Sequence, residues 1–262
     1  MTAPARAARS DLSVVGHPGG RRLGLREAVA AEWLKLLTVR STWWFALGLL
    51  ALLLTMAVLD DGEGEPGSVR SLTVGLAAVS YFGQYVVAAF GLLVVTAEYA
   101  TRSITVTLAA TPSRPRVLVA KAIVACVAAG VLGVVATALG VGVAAGRFGE
   151  LDHIAGPATA QVLATGGYLG LLAALSLGVG ALVRRTAGAL TVMVVLLLVV
   201  PELLALASRR FGLRWLDTLA GWTPAQAGWQ LMTGHWEYAA LLLAWAVAAV
   251  AAGAWVLRRR DA

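Results

Sequence analysis

Six runs of this sequence are too apolar and too long to lie anywhere but across a lipid bilayer. A helix advances about 1.5 Å per residue, so crossing about 30 Å of hydrocarbon takes roughly 20 apolar residues. The runs cover approximately residues 42–59, 72–96, 117–145, 159–183, 190–207 and 238–257. Each is far longer than the roughly 9–11 residues of a barrel strand, and a backbone inside lipid must satisfy its own hydrogen bonds. The predicted fold class is therefore all-α, a polytopic membrane protein of six transmembrane helices. Composition agrees: 59% of residues are hydrophobic and 13% charged, with a mean hydropathy of +0.80, against about 45–50% and about 25% in soluble domains. Runs three and four are rich in glycine, as in "GVLGVVATALGVGVAAG" and "GGYLGLLAALSLGVGAL". Small residues at that density let helix backbones approach closely.

The same composition limits the chemistry. Cys126 is the single cysteine and lies within an apolar run, so it reads as a packing residue with neither a disulfide nor a thiolate metal site to serve. The three histidines, His17, His153 and His235, fall far apart, outside the spans. No "GxSxG" elbow, "HExxH" pair or "GxxxxGK[ST]" phosphate loop is present, so the chain reads as no enzyme. If it does driven work, the motor is a separate subunit. The first twenty residues lack the apolar core of a signal peptide and read as a flexible tail, with residues 21–262 forming a single membrane domain.

Orientation follows from charge. With the N-terminus in the cytoplasm, only Arg70, Arg147, Arg209, Arg210 and Arg214 of the 21 basic residues face outward. The acidic residues lean the other way, as in the solvated turn "DDGEGEPG". This bias predicts a multi-pass membrane protein with both termini cytoplasmic. The positive charge thus serves topology and needs no nucleic acid as its partner. Lys121 falls near an inner span end, where it is expected to snorkel. Glu202, after Pro201 in "VVPELLALA", falls near the outer end of run five and either lines a path or ends a Pro-kinked helix.

Three further segments stand out. Ahead of the first span, Leu25, Val29, Trp33, Leu36 and Val39 fall within an arc of about 120°, opposite Glu27, Lys35 and Thr38 and interrupted by Glu32 and Arg40. A basic helix of this kind lies along the membrane surface, either as a lipid anchor or as a contact for a partner. Between spans two and three, "AEYATRSITVTLAATPSRPRVLVAK" is a polar interruption. Its "ITVTL" alternates like a strand, but an isolated strand leaves its edges unpaired, so a short helix over residues 98–110 is preferred, with Glu98 in its first turn and Pro112 and Pro115 ending it. An ordinary polar loop is the alternative. Before the last span, Trp215, Trp222, Trp229 and Trp236 recur every seventh residue, but Gly221, Pro224, Gly228 and Gly234 break any single helix. Two short helices with interfacial tryptophans are predicted.

"EWLKLLTVRSTWW", "TAEYATRSITVTLAATPSRPRVLVAK" and "TPAQAGWQLMTG" together resemble the permease subunits of type-2 ABC exporters, especially actinobacterial ones, over residues 27 to the C-terminus. The resemblance implies an interface helix carrying Glu32, Trp33, Lys35 and Arg40. It also implies a coupling helix, with Glu98, Tyr99, Thr101, Arg102, Ile104, Thr105 and Leu108, that docks on a separate ATP-binding subunit. Re-entrant helices before the last span, carrying Trp222 and Trp229, would form an outer lid, and Glu202 would join them along the lid or path. The family often has glycines where this chain has Arg102 and Pro115, so the ends of the coupling helix differ from its relatives. The implied function is ATP-driven export of a lipophilic or amphipathic cargo by a homodimer, or a heterodimer with a similar permease. ATP and Mg would be bound by the partner and no cofactor by this chain. The competing reading is a non-transporting membrane anchor or sensory module of a regulatory complex.

Overall fold

The computed structural model describes residues 24–59, 69–100, 114–151 and 155–259. These are 92% helical, with no strand among them. Helix α1 spans Leu25–Thr38 and ends where Val39 adopts an extended conformation, which lets the chain turn directly into α2, Arg40–Leu59. Helix α3 comprises Arg70–Ala78, a π-helical turn at Val79–Gly83, and Gln84–Ala100. Helices α4 and α5 span Arg114–Phe148 and Ala155–Val183. Helix α6 runs through Thr186–Val194, a second π-helical turn at Val195–Val199, and Val200–Phe211. Two short helices, α7 (Arg214–Gly221) and α8 (Pro224–Met232), precede α9, Tyr238–Arg259. Six of these helices, α2 to α6 and α9, are long and apolar enough to cross a membrane. The chain is an all-α polytopic membrane protein.

The predicted spans match to within a few residues at each end. The two predicted short helices are α7 and α8. The N-terminal tail, the acidic turn after α2, and Thr101, Arg102, Ile104, Thr105 and Leu108 lie outside the described residues. The end of the bundle that carries α1 is called proximal below, and the end that carries α7 is called distal.

Helix α5 is the centre of the bundle. Of its apolar window 78% is buried, against 17% for α2 and 22% for α6. Glycine is the reason its neighbours come so close. A Cβ added at Gly170 would stand 2.7 Å from the Cys126 carbonyl oxygen on α4, and one at Gly178 would stand 2.5 Å from the Ala249 carbonyl carbon on α9. Real side chains do not fit at such distances, so backbone packs on backbone.

Pro201 does not end α6, contrary to one of the two sequence readings. Proline has no N–H to offer the carbonyl four residues earlier, that of Leu197. A π-helical turn at Val195–Val199 takes up the mismatch, and the helix continues for another ten residues to Phe211. Gly212, in the left-handed region at φ 67°, then closes it.

At the distal end the Glu150 carboxylate accepts the backbone N–H groups of Arg70 at 3.1 Å and Ser71 at 2.9 Å. It caps α3 from 80 residues away in sequence, where the helix dipole favours a negative charge. Partial burial pushes this carboxyl up, but the Ser71 and Arg70 N–H groups and the Arg70 charge outweigh that and hold it below its usual range.

Candidate functional site

Four charged side chains meet at the proximal end. Glu32 and Lys35 lie one helical turn apart on α1, Glu98 lies in the last turn of α3, and Lys121 lies two turns into α4. The Lys121 ammonium donates to Glu32 Oε2 at 2.5 Å and to Glu98 Oε1 at 2.8 Å. Lys35 donates to the same Glu98 oxygen and lies 3.8 Å from Glu32. Lys121 is only 3% exposed, Glu98 6% and Glu32 9%. Two positive and two negative charges thus form a neutral set, three of them buried and Lys35 half-buried, the arrangement that keeps buried ions tolerable. Burial pushes the Lys35 ammonium down, but the bond to Glu98 and the nearby Glu32 charge outweigh it and raise it above its ordinary value of 10.5.

Four sequence expectations change here. Lys121 does not snorkel toward a polar surface; it turns inward, because two carboxylates are waiting there. Glu32 does not interrupt the apolar face of α1 but belongs to its buried side, next to Leu36. Lys35, predicted on the opposite face, reaches Glu98 and is half-buried. Glu98 itself sits at the C-terminal end of a span and not in the first turn of a new helix. There the helix dipole opposes a carboxylate, and the two lysines provide the compensation. Its second oxygen, Oε2, is buried with no hydrogen-bond partner among the described residues.

The end of α3 is fixed on its other side too. The Arg184 guanidinium stacks 5.5 Å from the centre of the Tyr99 ring, and Thr186 donates to Thr96 at 3.1 Å. Beside the charges, an apolar cavity of about 300 Å³ opens between α1, α2 and α3, lined by Phe45, Phe90, Leu93 and Val94. Trp33 packs against the core, while Arg40 is exposed.

A second arrangement occupies the distal half. Both π-helical turns border a cavity of about 380 Å³ that Pro201, Glu202, Gln226 and Trp229 also line. Behind it the Tyr168 hydroxyl, fully buried on α5, donates to Gln84 Oε1 at 2.6 Å, and the Gln84 amide donates to the Ser80 carbonyl. Gly228 on α8 lies against the Tyr168 ring, where any side chain would collide. Trp229 is half-buried at the cavity wall, whereas Trp215, Trp222 and Trp236 are exposed. Of the predicted path residues, the structure therefore brings Glu202 and Trp229 to one cavity and leaves Trp222 outside it. Among the described residues no three His, Cys, Asp or Glu side chains come together as a metal would require.

Sequence reasoning missed Tyr168 and Gln84. One signal was available: a tyrosine in a glycine-rich span must find a partner for its hydroxyl. No protein-family model matches the chain, and no curated protein matches it.

Proposed function

We propose that this chain is the transmembrane subunit of an ATP-driven exporter of the type-2 ABC kind, working with a separate ATPase subunit and a second permease copy. The observation that supports this reading most is the ion-paired tie between α1 and both helices flanking residues 101–113. Glu98 ends the helix before that segment and Lys121 lies in the helix after it, and Glu32 and Lys35 bind the pair to α1. A push applied to residues 101–113 from the proximal side is then carried into α1, α3 and α4 together, as a coupling element requires. In this reading the proximal end is cytoplasmic. ATP binding on the partner biases the permease between two states only through differential contact with that segment.

The test is reconstitution with a candidate ABC ATPase subunit. ATP-dependent cargo efflux is expected, together with a disulfide between Thr105→Cys and a cysteine on the ATPase surface, made in a Cys126→Ser background. Saturable, stoichiometric nucleotide binding by the isolated chain would end the reading, as would efflux that needs no ATPase subunit.

A further inference from the structure

We propose that the distal cavity binds an organic cation, an ammonium or phosphonium group on a lipophilic body, with Glu202 as its counter-charge. Glu202 lies just after the second π-helical turn, nine residues before the end of α6, exposed at the cavity. A carboxylate within a membrane-spanning helix is costly and ordinarily answered by a partner. Among the described residues Glu202 has no ion-pair partner, and the only basic residues on its helix, Arg209 and Arg210, come two turns later. The cavity walls are suited to a cation. Tyr85 and Trp229 line it with aromatic rings, whose faces attract positive charge, and Gln226 adds an amide. The Ser80 hydroxyl, also on the wall, is buried without a hydrogen-bond partner. Among the described residues no lysine or arginine lines the space, so an anion would meet only the Glu202 charge there. Both π-helical turns border the opening, and such turns are frequent at functional sites.

The inference names a cargo class for the proposed exporter, yet binding can be measured on this chain alone, so the two readings fail separately. The wild-type chain in lipid nanodiscs, without any ATPase, is titrated with radiolabelled tetraphenylphosphonium, and empty nanodiscs supply the background. Tetraphenylborate, of the same shape and opposite charge, is the control. A single saturable phosphonium site is expected, with no saturable borate binding. Glu202→Gln should weaken the site by about tenfold and Trp229→Ala by about threefold. Absence of saturable phosphonium binding, equal binding of the borate, or an unchanged affinity in Glu202→Gln would overturn the proposal. Intact binding without ATP-driven efflux would count against the exporter reading and leave the cation site standing.

Discussion

The two ends of the bundle handle charge in opposite ways. At the proximal end four ionic side chains from three helices are gathered and neutralised. At the distal end one carboxylate, Glu202, stands beside a cavity with no partner among the described residues. Each end has a glutamate on a membrane-spanning helix, Glu98 on α3 and Glu202 on α6, so residue type does not explain the difference. A carboxylate with its cations supplied holds helices together. A carboxylate without one is left able to engage something from outside the chain. The contrast predicts that mutation at the proximal end is read mainly in stability and at the distal end mainly in binding.

The largest effect should come from Lys121→Met, which leaves Glu32 and Glu98 with Lys35 alone. Removing one member of a buried ionic set costs about 3–5 kcal/mol, read as a drop in unfolding free energy in micelles. Adding Glu98→Gln restores a neutral set and should recover part of the loss. No recovery would mean that Lys121 acts by its bulk and that the proximal end is not an electrostatic device. Next is Tyr168→Phe, which strips Gln84 Oε1 of its donor and should cost about 1–3 kcal/mol. An unchanged stability would show that the Gln84 side chain rotates freely into the cavity.

Lys35 sharpens the comparison through pH. Because its folded value is raised above 10.5, its contribution is fully present below that pH and is lost as pH rises through the folded value. Its side chain is 40% exposed, so the screened contribution is about 1 kcal/mol or less. Melting temperature followed from about pH 9 to about pH 12 should fall more steeply in wild type than in Lys35→Met. The smallest effect belongs to Glu202→Gln, whose stability should stay within about 0.5 kcal/mol of wild type. A large loss there would make Glu202 a structural residue and erase the distinction between the ends.

Much of the fold was legible because lipid imposes a length. Six apolar runs of the right size could only be six helices, and Pro224 with its flanking glycines marked α7 and α8 as separate. Helix periodicity also found α1, but it assigned Glu32 and Lys35 to the wrong surroundings. Their partners lie 89 and 63 residues away, and hydrophobic pattern says which face is apolar, not which opposite charge another helix brings to it. Glu98 was misplaced for a related reason. Sequence marks where an apolar run gives way to polar residues, but not whether the boundary residue closes one helix or opens another. The π-helical turns were hidden because pattern reading assumes 3.6 residues per turn. Pro201 was the only visible sign of the one in α6.

A joint made of backbone against backbone has no rotamers to exchange, so it holds its geometry or comes apart. The glycines of α5 at Gly170 and Gly178 make such joints with α4 and α9. These three helices therefore form a rigid keel along the molecule. Helices α2 and α6, the least buried of the six, are the planks that can shift against it, and each carries a different end of the machine: α2 continues from the charge-locked α1, and α6 bears Glu202.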